Sequence, residues 1–137
     1  MEDILANPVQ GTFVTYACLS TIKASGLALY TVYKRLSTKS YECAKVSDEV
    51  ALTQRAHMND IENLIPFLVF GYLYTKTNPN ALVAKSLFRS FFIIRCAHSV
   101  GILFVNTKPL RGGPFILTNS INLFFAFRAM QHLYKNI

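Results

Sequence analysis

At 137 residues, 52% of them hydrophobic and only 15% charged, with a mean hydropathy of +0.30, the chain is of single-domain size and too apolar for an ordinary soluble domain. The formal net charge of +7 does not make it a nucleic-acid binder, because the cations are scattered over helix ends and apolar runs instead of forming one basic face. Three cysteines without metal-type spacing exclude a disulfide framework and a zinc site.

The start, Met1-Glu2-Asp3, is acidic, unlike a removable signal. Residues 12–33 then predict a first spanning helix, near the roughly 20 residues that cross a hydrocarbon core. From Phe13 to Ile22 this run is apolar or small on every side, whereas a helix of a soluble bundle would carry a charged face. Cys18 falls inside it as a small apolar residue, and Lys23 is its one internal charge. Lys34 and Arg35 end the run, and the loop beyond holds Lys39, Lys45 and Cys43, whose thiol those lysines would acidify.

The second run, residues 61–75, reaches spanning length only if extended back through Arg55-Ala56-His57-Met58-Asn59-Asp60-Ile61-Glu62-Asn63. An ionisable group inside a spanning helix costs roughly 2.5–3.5 kcal/mol, so such groups face a polar interior and usually have a task. Arg55, Asn59, Glu62 and Pro66 recur at i, i+4, i+7 and i+11, placing a cation, an amide and a carboxylate on one stripe that suits a ligand bearing both charge signs. His57 points off this stripe and reads as a hydrogen-bonded interfacial residue rather than a general base. The third run, residues 86–105, carries Arg89, Cys96 and, on one face, Arg95 and His98. Lys108-Pro109-Leu110-Arg111-Gly112-Gly113-Pro114 then predicts a short turn with Pro114 at the first position of a fourth helix, which runs to residue 133. Arg111 there either stabilises a thiolate or carboxylate or snorkels at the interface.

At about 1.5 Å per residue, Lys23 lies about 18 Å along its helix from Arg35, and Glu62 about 10 Å inward from Arg55, so Lys23, Asp60 and Glu62 share a depth. Lys23, Asp60, Arg89 and Arg95 therefore read as structural intramembrane charges that pair between helices. Around Arg35, Arg55, Asn59, Glu62 and His98 the cations outnumber the carboxylates, which implies a small anionic guest. Lys34, Arg35, Lys39, Lys45 and Arg55 in or beside the first loop, with Lys108 and Arg111 in the third, put those loops on the cytosolic side and both termini on the lumenal side. The expected architecture is an all-α membrane protein, a four-transmembrane-helix bundle formed as one domain over residues 1–137.

Arg55-Ala56-His57, Asn59-Asp60, Glu62-Asn63 and Ile65-Pro66-Phe67-Leu68 resemble the signature of the MAPEG family, the membrane-associated proteins in eicosanoid and glutathione metabolism. The resemblance extends through Ile22-Lys23, Arg35-Leu36, Leu87-Phe88-Arg89, Arg95-Cys96-Ala97-His98 and Arg111, and is nearest to the branch of microsomal glutathione transferase and microsomal prostaglandin E synthase. It implies a homotrimer in the lipid bilayer that binds glutathione as co-substrate between subunits near the cytosolic face. By the same resemblance Arg35, Asn59 and Glu62 hold glutathione, Arg55 and Arg95 order Glu62, His98 contacts the tripeptide, Phe115 flanks it, and Arg111 stabilises the thiolate.

The chain also departs from the family pattern. Met58 stands where an arginine is usual, Ile102 and Phe115 where tyrosines are, and Gly112 where a serine or alanine is; the first loop is shorter than usual. The implied function is a glutathione transferase with glutathione peroxidase activity, acting on a lipophilic electrophile or lipid hydroperoxide in the endoplasmic reticulum or mitochondrial outer membrane. The alternative is a catalytically weak protein of the same fold that binds lipid or a membrane partner.

Overall fold

In the computed structural model, which describes residues 7–40, 47–105 and 108–135 and of 108–111 only the backbone, four helices follow one another: α1 (Pro8–Ser37), α2 (Asp48–Thr75), α3 (Ala81–Val100) and α4 (Lys108–Tyr134). Local chemistry sets the starts. Asn7 Oδ1 accepts hydrogen bonds from the Val9 and Gln10 amides at 3.0 and 3.3 Å, with Pro8 in the first turn where a missing N–H costs nothing. Ser47 caps α2 through the Val50 amide at 3.4 Å, and Asp48 and Glu49 oppose the positive end of its dipole. Asn80 caps α3 through the Leu82 and Val83 amides. Beyond Val100, α3 widens into a π-helical segment, Gly101–Val105, that buries Ile102.

The expected four-helix, all-α membrane architecture is present, with one revision. α2 begins at Asp48, well before its apolar run, and includes Arg55 as the backward extension of that run required. The turn expected before helix 4 is itself helical from Lys108, leaving Pro114 inside α4. Pro109 near the start loses no bond, and Pro114 deletes only the one to the Leu110 carbonyl, which a long helix tolerates. Pro66 likewise removes the bond to the carbonyl of Glu62 within α2.

α1 and α3 run one way and α2 and α4 the other, arranged around the core in the order α1, α2, α4, α3. At the end bearing the termini the core is aromatic. Phe67 stacks on Phe91 at 4.0 Å, Phe13 and Phe125 close on Phe88 at 5.4 Å each, and Tyr74 stacks on Phe125 at 4.8 Å. Gly71 permits this approach: a Cβ there would sit 2.7 Å from the Phe13 ring. The outside is apolar as well, with Ile22, Leu29, Leu82 and Leu123 fully out of the core, as a surface solvated by lipid requires. Among the described residues one helix, Ala81–Val105, is by itself long and apolar enough to cross a membrane; α2 reaches that depth with its polar stripe.

Candidate functional site

Polarity enters this apolar bundle in the half away from the aromatic core, and it divides into two parts. The first is closed. Asp60 of α2 is 2% exposed, and its Oδ1 accepts from Lys23 Nζ of α1 at 2.6 Å and from Nε and Nη2 of Arg95, on α3, at 2.9 and 2.7 Å. Lys23 also donates to Ser99 Oγ at 3.0 Å, and the third nitrogen of Arg95, Nη1, donates to Asn59 Oδ1 at 3.0 Å. One carboxylate thus holds two cations, and both find neutral oxygens for their remaining donors. Buried charge needs such compensation, and this cluster ties three helices at one level.

The second part is open. Arg55 and Asn59 of α2, His98 and Ile102 of the α3 arm, and Gly112 and Phe115 of α4 line a cleft of about 320 Å³. That is within the roughly 300–1,000 Å³ usual for small-molecule sites. Arg55 and Asn59 are one helical turn apart and reach the cleft together, whereas the buried His98 comes from the turn after Arg95. The π segment rotates Ile102 into the cleft wall while Leu103 and Phe104 turn to a separate hollow by Tyr30 and Lys34. Asn59 belongs to both parts: its side-chain oxygen receives Arg95 from the triad, and its residue forms a wall of the cleft.

The sequence-derived candidates are distributed as follows. Arg55, Asn59, His98 and Phe115 come together at the cleft. Arg35 and Glu62 do not line it; both are exposed on the outside of the single chain. Arg95, expected to order Glu62, is instead turned to Asp60 and Asn59, because the carboxylate two residues earlier on α2 faces the bundle while Glu62 lies on its outer face. Lys23, Asp60 and Arg95 form the triad, but Arg89 stays outside it, exposed, donating from Nε to Tyr16 Oη at 3.2 Å. His57 is half-buried, Cys96 half-buried and Cys18 exposed. The Arg111 side chain and Cys43 lie outside the described residues.

Residues the spacing argument did not single out complete the site. Ser99 joins the triad, and Asn63, Thr118, Asn119 and Asn122 make a polar seam between α2 and α4. The signal for the seam was present: Thr118, Asn119 and Asn122 are hydrogen-bonding residues at i, i+1 and i+4 within an apolar run. Outside the spans, Lys34 Nζ meets Glu49 Oε2 at 2.8 Å and ties the end of α1 to the start of α2. Each partner favours the other's charged form, holding the Glu49 carboxyl below and the Lys34 ammonium above their ordinary ranges.

Comparison with known proteins adds a family. The sequence pattern of the MAPEG family matches residues 13–131, a span that takes in the triad, the cleft and the seam. Microsomal glutathione S-transferase 1 of Rattus norvegicus is 29% identical over 147 aligned positions, covering 96% of this chain and 95% of the relative. The protein of the same name in Homo sapiens is 27% identical over the same shares. Prostaglandin E synthase of Homo sapiens is 28% identical over 146 positions, covering 95% of this chain and 96% of its own.

Proposed function

The chain belongs to the MAPEG family, and from that membership we propose that it is a membrane-bound glutathione transferase that joins the glutathione thiolate to lipophilic electrophiles, with glutathione peroxidase activity toward lipid hydroperoxides. The observation that carries this reading is the cleft itself: Arg55, Asn59 and His98 converge on an open space beside Phe115, at the end of the bundle away from the aromatic core. Polar donors facing an open space in a membrane protein call for a polar guest, and glutathione brings two carboxylates and an α-ammonium.

In this reading Arg55, Asn59 and His98 anchor the tripeptide and Phe115 flanks it. A guanidinium at Arg111 favours the charged sulfur and so lowers the thiol pKa, with the proton released to water. The sulfur attacks an electrophilic carbon; the S–C bond forms as the leaving group departs with its electron pair. With a hydroperoxide the sulfur attacks the terminal oxygen and the O–O bond breaks. The lipid leaves as its alcohol, and a second glutathione reduces the sulfenic acid to disulfide and water.

Arg35 and Glu62 enter through assembly. Exposed on a single chain within or beside hydrocarbon they lack compensation, and a homotrimer brings one subunit's outer face against the next subunit's cleft. There Glu62 suits the α-ammonium and Arg35 a carboxylate. The charge pattern supports cytosolic first and third loops with lumenal termini, in the endoplasmic reticulum or the mitochondrial outer membrane.

One observation favours the second reading, a catalytically weak MAPEG-fold protein that binds lipid or a membrane partner. Met58 is 58% exposed where relatives of this family use an arginine, and Ile102 lines the cleft without a hydroxyl. Isothermal titration of the detergent-solubilised protein with glutathione tests the choice. Saturable binding together with conjugation of a reactive aryl halide is the expected result, with little prostaglandin E formed from the endoperoxide because Gly112 offers no hydroxyl to the departing oxygen. Absence of glutathione binding would leave the second reading in place.

A further inference from the structure

The wall of the cleft that α4 supplies is poorly fixed by its own sequence. Gly112 and Gly113 are weak helix formers, Pro114 deletes a backbone bond, and a Cβ at either glycine would meet nothing within 4 Å, so neither glycine position is packed against the bundle. Immediately after it stands the α2–α4 seam. Asn63 Oδ1 accepts from Thr118 Oγ1 at 3.0 Å and from Asn119 Nδ2 at 3.1 Å, and Asn122 Nδ2 donates to the Asn63 carbonyl at 3.1 Å.

Asn119 reaches back to the weak turn: its Nδ2 carries two protons and donates the second to the Phe115 carbonyl at 2.9 Å, while the single Thr118 hydroxyl proton is shared between Asn63 Oδ1 and its own helix's Pro114 and Phe115 carbonyls at 3.0 and 3.2 Å. Toward the cleft, Asn63 Nδ2 donates to the Asn59 carbonyl at 3.2 Å. Thr118 and Asn63 are 0% and 1% exposed, so water does not replace these bonds.

We propose that Asn63, Thr118 and Asn119 form a clamp that positions the α4 wall of the cleft, setting Phe115 and the turn that carries Arg111 relative to Asn59. They are positioning residues, since Asn63 and Thr118 do not line the cleft. The inference rests on the glutathione reading for its catalytic consequence, but not for its structural one.

Thr118→Val removes the hydroxyl and keeps the shape; Thr118→Ser keeps the hydroxyl. In the purified full-length protein with glutathione and an aryl halide, Thr118→Val is expected to lower kcat on the order of tenfold, the scale of one interhelical hydrogen bond in a membrane, with KM for glutathione and melting temperature near the parent's. Thiolate formation, read by ultraviolet absorbance, falls in step, and Thr118→Ser restores both. Hydrogen exchange across residues 108–117 quickens in Thr118→Val and, should that variant not fold, in the milder Asn119→Ala.

Unchanged kcat in Thr118→Val, or an equal loss in Thr118→Ser, overturns the clamp. A parent chain that forms no thiolate overturns the glutathione reading instead, and exchange at 108–117 then decides the clamp alone: quickening upholds it and parent-like exchange rejects it.

Discussion

The triad and the cleft share α2 and α3 and lie about one turn apart, but α1 completes the first and α4 the second, and they differ in chemistry. In the triad Asp60 takes up Lys23 and Arg95, and neutral oxygens of Ser99 and Asn59 accept further bonds from them, so the cluster is tied across three helices. In the cleft Arg55, Asn59 and His98 border open volume. An ionisable residue in a membrane helix therefore does not announce its role by its presence; Asp60 is defined by the two cations that reach it and Arg55 by the open volume it borders.

The most severe test of that contrast is Asp60→Asn, which strands the buried Arg95 and the half-buried Lys23. Loss of roughly 3–5 kcal/mol of stability is expected, seen as failure to recover folded protein or a large drop in melting temperature in detergent. Replacing Lys23, Asp60 and Arg95 together by Met, Leu and Met should recover much of it, because apolar side chains of similar volume leave no charge unpaired. A stable Asp60→Asn single variant would mean that water reaches the triad and that the two regions do not differ.

On the cleft side, Arg111→Ala should leave the fold and glutathione affinity near the parent's while cutting turnover by about 2.7–4 kcal/mol in barrier, the scale of a lost preorganised oxyanion or thiolate contact. Steady-state kinetics beside calorimetric titration reads both quantities. Equal turnover in mutant and parent would return Arg111 to the role of an interfacial anchor.

Glu62→Gln should act more mildly than an intramolecular pairing with Arg95 would imply, because Arg95 is engaged by Asp60 and Asn59. A loss of about 1.5–3 kcal/mol in glutathione binding or trimer stability is expected, that of a hydrogen bond to a charged group. Light scattering in mild detergent tests the proposed trimer; a monomeric parent chain would leave the exposed Glu62 and Arg35 without a partner subunit.

The smallest effect belongs to the solvent-facing Lys34–Glu49 pair. Glu49 titrates lower in the folded protein than in the unfolded chain, so its contribution is present above the unfolded carboxyl range and is lost as pH falls through the folded one. Lys34, raised, holds its contribution below the ordinary lysine range and loses it as pH rises through its own folded value. Glu49→Gln should flatten the acid side of the melting-temperature profile slightly, and high salt should mimic it.

Much of this was legible in the sequence. Apolar runs marked four helices, and helical spacing put Arg55 with Asn59 and Arg95 with His98, because a fixed rotation per residue decides which side chains share a face. Spacing also left errors. Gly112, Gly113 and Pro114 read as a turn, since their local preference is against helix, but α4 includes them. Spacing placed Glu62 on one stripe with Arg55 and Asn59, but Glu62 lies on the outer face of α2 and does not line the cleft, while Asp60, read as a structural charge, meets Lys23 and Arg95.

What the sequence by itself determined is the inventory: four apolar helices, and which polar groups lie at which depth on each. Only the tertiary structure decided which of those groups pair across helices and which border the cleft, because hydrogen bonds between α1, α2, α3 and α4 join residues 35 to 76 positions apart. Their geometry depends on how the aromatic end of the bundle packs, and no local preference encodes that distance.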